Sequence, residues 1–146
     1  MPMRLILLIT LLVVATGGLQ AQNSAKSWQP PKVLLASTSE RRRSAAQRLG
    51  IAKGEYVVAL LSIRCGDCDR EALGLNEKAS ADRIIAIAPA PAKDVATWKK
   101  KLGLKYRVVA VSDKVFDDFG GVILPTLVLL RDGRAVGVSE RAEVVE

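Results

Sequence analysis

The chain has 146 residues, 49% apolar and 25% charged, which is enough for one domain with a buried core. Its 22 Lys and Arg against 15 Asp and Glu give a net charge of +7, but aromatic residues are only 4%. No rings are interleaved with the basic residues to stack bases, so nucleic acid is not an expected partner, and the absence of any histidine excludes Ser-His or Cys-His catalytic pairs and imidazole metal ligands.

Arg4, the apolar run over residues 5–15 and the small-residue exit to Ala21 have the layout of a secretory signal peptide over residues 1–21. The run is about half of the roughly 20 residues a spanning helix needs, so an uncleaved anchor is the competing reading and the one membrane contact expected. Either reading implies a periplasmic or other extracytoplasmic location. Residues 22–32, with Pro30-Pro31, read as an extended linker, leaving residues 33–146 as the domain.

Residues 33–36 suit a short strand. Ser37 and Glu40 have the spacing of a capping box, so a helix is expected over 38–49, closed by Gly50 in a left-handed cap. Its Arg41, Arg42, Arg43 and Arg48 read as a solvated basic face. Residues 33–51 also resemble the amino-terminal nucleotide-binding segment of Maf-type pyrophosphatases. The acidic metal-binding positions of such enzymes have no counterpart further along, and that resemblance is set aside.

Residues 56–63 are nearly continuous in Val, Ala, Leu and Ile, as a strand buried on both faces of a parallel sheet requires. Beyond them Cys68, Ala72, Leu75 and Ala79 form one stripe of a helix, interrupted by Gly74. A second buried strand is expected over 83–88. A helix follows over 94–102, with Val95, Trp98 and Leu102 inward and Gly103 as its stop. A third strand over 106–111 and a helical turn over 113–119 come next. The runs 127–130 and 134–138 flank Asp132-Gly133, residue types that accept the positive φ of a type I′ hairpin turn. Strands alternating with helices imply an α/β fold with a mixed sheet and helices on both faces.

Between the first buried strand and its helix stands Arg64-Cys65-Gly66-Asp67-Cys68, with the only two cysteines of the chain. A helix N-terminus carries roughly half a positive charge and free amides, so a thiol there ionises readily, and the thiolate is the attacking species. Cys65, at the junction, is the expected nucleophile. Cys68, one turn on, is the expected resolving thiol in a dithiol/disulfide cycle. A structural disulfide across so small a loop would constrain the unfolded chain little, and a zinc site would need ligands this chain lacks. A peroxide-reducing cysteine is a further reading, because Ser62 stands three residues before Cys65, although Val58 occupies the place where such sites carry Pro.

From about residue 55 to 138 the sequence resembles the thioredoxin superfamily, in particular the TlpA-like thiol-disulfide reductases of the bacterial envelope. The resemblance rests on Cys65-Gly66-Asp67-Cys68 after an apolar strand, on Glu71, on the helix-strand insertion over 94–111, and on Leu124-Pro125-Thr126 before a strand ending in Asp132-Gly133. It implies a thioredoxin-like fold with a central mixed sheet, helices on both faces, a TlpA-like insertion and, here, a shortened C-terminus. It also implies an exported oxidoreductase, working as a reductase. Its partners would be protein thiols or disulfides and a thiol-disulfide electron donor, with no cofactor and no metal.

The same resemblance makes Leu124-Pro125 a cis peptide bond beside the disulfide, with Leu124 and Thr126 lining the substrate groove. It makes Glu71 a carboxylate beneath Cys68, able to pass a proton. The family usually has Trp before the first Cys and often Pro before the second, where this chain has Arg64 and Asp67. Arg64 would favour the Cys65 thiolate and Asp67 would oppose it. The alternative from another class is a non-catalytic thioredoxin-fold binding module that holds an extended peptide by backbone pairing.

Overall fold

The computed structural model describes residues 38–78, 81–120 and 123–140. The expected signal segment, linker and strand over 33–36 lie outside these residues, as do Ser37, Ala79 and the end of the chain. The two apolar runs form the inner strands β1 (Glu55–Leu60) and β2 (Ile84–Ala88), paired in parallel. β3 (Arg107–Ala110) continues the parallel pairing at one edge. On the other side of β1, β4 (Thr126–Arg131) and β5 (Arg134–Ser139) pair antiparallel, giving the order β3-β2-β1-β4-β5. The mixed sheet is therefore as expected.

The helices divide between its two faces. α1 (Ser39–Arg48) and α4 (Asp113–Phe119) bury Ala45, Ala46, Phe116 and Phe119 against Val58, Leu60, Ile85, Ile87 and Val128. α2 (Gly66–Asn76) and α3 (Ala92–Leu102) bury Cys68, Ala72, Leu75 and Trp98 against Ala59, Ala86 and Leu127. Alternate residues of β1 thus serve opposite cores, as the two-residue period of a strand dictates.

Local signals explain the boundaries. α1 is capped by Thr38, whose hydroxyl accepts from the Arg41 amide, and not by the expected Ser37. Gly50 takes φ +73 just past its end. α3 begins at Ala92, two residues earlier than expected, behind Pro91, which tolerates a helix start because the first amides need no intrahelical partner. It stops at Gly103 in the left-handed region. Asp132 and Gly133 both have positive φ, as the hairpin turn requires. The apolar run expected as strand to residue 63 is strand only to Leu60. Its antiparallel partner begins at Thr126, directly after Pro125, which has no amide with which to extend the ladder.

Candidate active site

Leu61 makes the last ladder bond from this end of β1, to the Ile87 carbonyl, and the chain then turns so that the Cys65 amide donates to the Ser62 carbonyl at 3.3 Å. The Ser62 hydroxyl accepts from the Arg64 amide and so serves the turn. Cys65 is the N-cap of α2. Its Sγ accepts from the Cys68 amide at 3.1 Å, the place a Ser or Asp oxygen takes in most helices. The two cysteines are joined in a disulfide, with Cα atoms 5.1 Å apart. Cys65 is half-buried, whereas Cys68 is wholly buried in the core beneath α2. One cysteine is thus half-buried at a helix N-terminus and the other is buried one turn behind it.

β4 starts opposite Leu60, which brings residues 124–126 to the same end of the sheet as the cysteines. The Leu124–Pro125 bond is cis. Leu124 and Cys65 both pack against the core cluster that contains Cys68. Thr126 is buried, and its hydroxyl donates to the Ile123 carbonyl, so that side chain is committed to the turn. Ile123 is 48% exposed next to it.

The flanking residues take up distinct positions. Arg64 is exposed. Gly66 opens α2 with open space around its Cα, so no close approach requires glycine there. Asp67 forms an ion pair with Arg70, both exposed, so its carboxylate is partly neutralised by a residue that sequence reading passed over; the i, i+3 spacing was the available signal. Glu71 is half-buried on α2, three residues past Cys68. Among the described residues, no three His, Cys, Asp or Glu side chains cluster so as to hold a metal. No helix among them is long and apolar enough to cross a membrane.

Hydrogen bonds from the α3–β3 segment to α2 were not anticipated. The Trp98 indole N–H donates to Asp69 Oδ1 at 2.7 Å, and the Tyr106 hydroxyl donates to the Ala72 carbonyl at 2.9 Å. Asn76 donates from Nδ2 to the Gly103 carbonyl and accepts at Oδ1 from the Lys105 amide. Burial pushes the Tyr106 phenol up from its ordinary value, keeping it a neutral donor. A readable signal existed for Trp98: an inward-facing indole needs an acceptor.

No protein-family model and no curated protein matches the sequence. Several solved structures are similar. The thioredoxin-family thiol:disulfide interchange protein from Chlorobium tepidum has a TM-score of 0.51 at 22% identity, covering 64% of this chain and 72% of its own. The thioredoxin domain of a thiol-disulfide oxidoreductase from Bacteroides vulgatus has a TM-score of 0.55 at 16% identity, covering 65% and 76%. A secreted disulfide oxidoreductase from Mycobacterium tuberculosis has a TM-score of 0.50 at 20% identity, covering 60% and 69%. At these identities the likeness is one of fold: the mixed five-stranded sheet with its helices is thioredoxin-like.

Proposed function

We propose that the chain is an exported thiol-disulfide oxidoreductase that reduces protein disulfides. The observation that carries this reading is the asymmetric disulfide, with Cys65 half-exposed as the N-cap of α2 and Cys68 buried one turn on. In the reduced protein the Cys65 thiolate attacks one sulfur of a substrate disulfide. That S–S bond breaks, a mixed disulfide forms, and the released substrate thiolate takes a proton. The Cys68 thiol gives up its proton and attacks Cys65 Sγ. The mixed disulfide breaks, the second substrate sulfur leaves as a thiol, and the Cys65–Cys68 disulfide remains. Two electrons have passed to the substrate, and a donor dithiol returns them.

Within this reading Leu124 and Pro125 shape the groove, with the Leu124 backbone pairing to an extended substrate. Glu71, half-buried three residues past Cys68, serves as a proton relay, and Arg64 supports the Cys65 thiolate by charge. Residues 1–21 act as the export signal and 22–32 as the linker, which places the substrates outside the cytoplasm. The test is insulin disulfide reduction with dithiothreitol as donor. Cys65→Ser is expected to fall to the uncatalysed rate and Cys68→Ser to accumulate mixed disulfide; wild-type turnover in Cys65→Ser would sink the assignment.

A further inference from the structure

Asp69 directly follows the resolving cysteine, in the first turn of α2, where Asp67 is the other acid. The two are held differently. Asp67 is exposed and paired to Arg70, whereas Asp69 is tied at 2.7 Å to the indole of Trp98, itself buried in the core. A buried indole has a fixed orientation, so the carboxylate it holds is fixed as well. The tie is one of a series, because Asp69, Ala72 and Asn76 lie on one face of α2 and each is bonded by the α3–β3 segment.

We propose that Trp98 and Asp69 form a positioning pair that pins a negative charge beside the first turn of α2 and thereby makes the Cys65–Cys68 couple more reducing. The helix N-terminus favours the Cys65 thiolate, and a fixed anion in the same turn opposes it. Destabilising the thiolate destabilises the reduced form, so the couple gives up its electrons more readily. The other charges at this end are Arg64, Asp67, Arg70 and Glu71, together with Lys93 and Asp94 in the first turn of α3. Asp67 and Arg70 are paired with each other, Lys93 and Asp94 are both exposed on α3, and residues 123–126 carry no charge. Asp69 differs from Asp67 in being held by a buried neutral donor and not by an exposed cation.

The proposal rests on the dithiol reading, and its test separates the two. Two quantities are measured on the full domain. One is the pH at which Cys65 ionises in the reduced protein, followed by thiolate absorbance. The other is the equilibrium constant for protein disulfide plus two glutathione thiols going to protein dithiol plus glutathione disulfide. Asp69→Asn keeps an acceptor for the indole but removes the charge. It is expected to lower the ionisation pH and raise the constant about two- to fivefold, the size of a charge effect at a helix terminus. Trp98→Phe frees the carboxylate and is expected to shift both in the same direction by less. The double variant should match Asp69→Asn alone, because freeing a charge already removed does nothing further.

Variants that lose thermal stability but leave both quantities at their wild-type values would overturn the proposal and leave the pair a purely structural contact. A shift in Asp69→Asn with none in Trp98→Phe would overturn the positioning role of the indole. A wild-type protein that does not exchange with glutathione would sink the oxidoreductase reading instead, and the thiolate titration would still decide the effect of Asp69.

Discussion

On one face of the sheet α2 is joined to the α3–β3 segment by hydrogen bonds from Trp98, Tyr106, Asn76 and Lys105, spread along the helix that carries the cysteines. On the other face α1 and α4 are joined by a buried carboxylate, Asp118, which accepts from Arg48 at 2.6 Å and Lys114 at 3.2 Å. The first arrangement fixes direction and register, because each bond engages a particular backbone or side-chain atom of α2. The second fixes little beyond proximity, since Arg48 and Lys114 are 45% and 77% exposed and can pivot. Such directional bonds are thus concentrated on the face that carries the two cysteines, while on the other Arg107 donates to the Leu49 carbonyl at the end of α1. The other face supplies burial.

That division is broken most severely by hollowing out the second face. Phe119 is fully buried between α4 and the sheet. Phe119→Ala is expected to cost about 3–5 kcal/mol of stability by urea denaturation. The folded fraction should keep the wild-type equilibrium with glutathione. A shifted equilibrium would mean that the α1–α4 face also controls the site.

The legible features were those whose partners are close in sequence. Cys65 and Cys68, and Asp132-Gly133, each carry their geometry in two to four consecutive residues, whereas the cis Leu124–Pro125 bond was legible only through the family resemblance. The stripes that line the cores were legible too, since periods of two and 3.6 mark a buried face wherever the element lands. What could not be read is what depends on how two elements are set against each other. Asp69 and Trp98 are 29 residues apart, and neither side chain names the other. Asp118 is similar: in sequence it is one of several acids in a short helix, and only the approach of α1 turns it into a buried ion-pair centre. The bulge at Leu129/Leu130, which leaves Val136 on β5 exposed, is likewise hidden in an ordinary alternation of residues.

A smaller effect sharpens the contrast from the ion-pair side. Burial pushes the Asp118 carboxyl up, but the hydrogen bonds and charges of Lys114 and Arg48 together outweigh it and hold the group below the ordinary carboxylate value. A carboxyl lowered in the folded state stabilises the protein above its unfolded pKa of about 4, and loses that contribution as pH falls through the lower native value. Asp118→Asn should therefore cost about 1–2 kcal/mol at neutral pH, between the ranges for exposed and buried pairs. The gap between wild type and variant should stay constant above about pH 5 and close below about pH 4. Denaturant titrations across that range read it directly, and a gap that persists at low pH would mean the loss comes from packing.

The smallest expected effect tests whether the α2 face acts through helix position or through the charge at its tip. Tyr106 is buried, and its hydroxyl reaches the Ala72 carbonyl at 2.9 Å. Tyr106→Phe keeps the ring, opens no sizeable cavity and removes one neutral bond, so the expected loss is about 1 kcal/mol. Ala72 lies nearly a turn further from Cys65 than Asp69 does, and no charge changes. The equilibrium with glutathione should then move less in Tyr106→Phe than in Asp69→Asn. An equal or larger shift would place control in the seating of α2 as a whole, and the carboxylate held by Trp98 would become one strap among several.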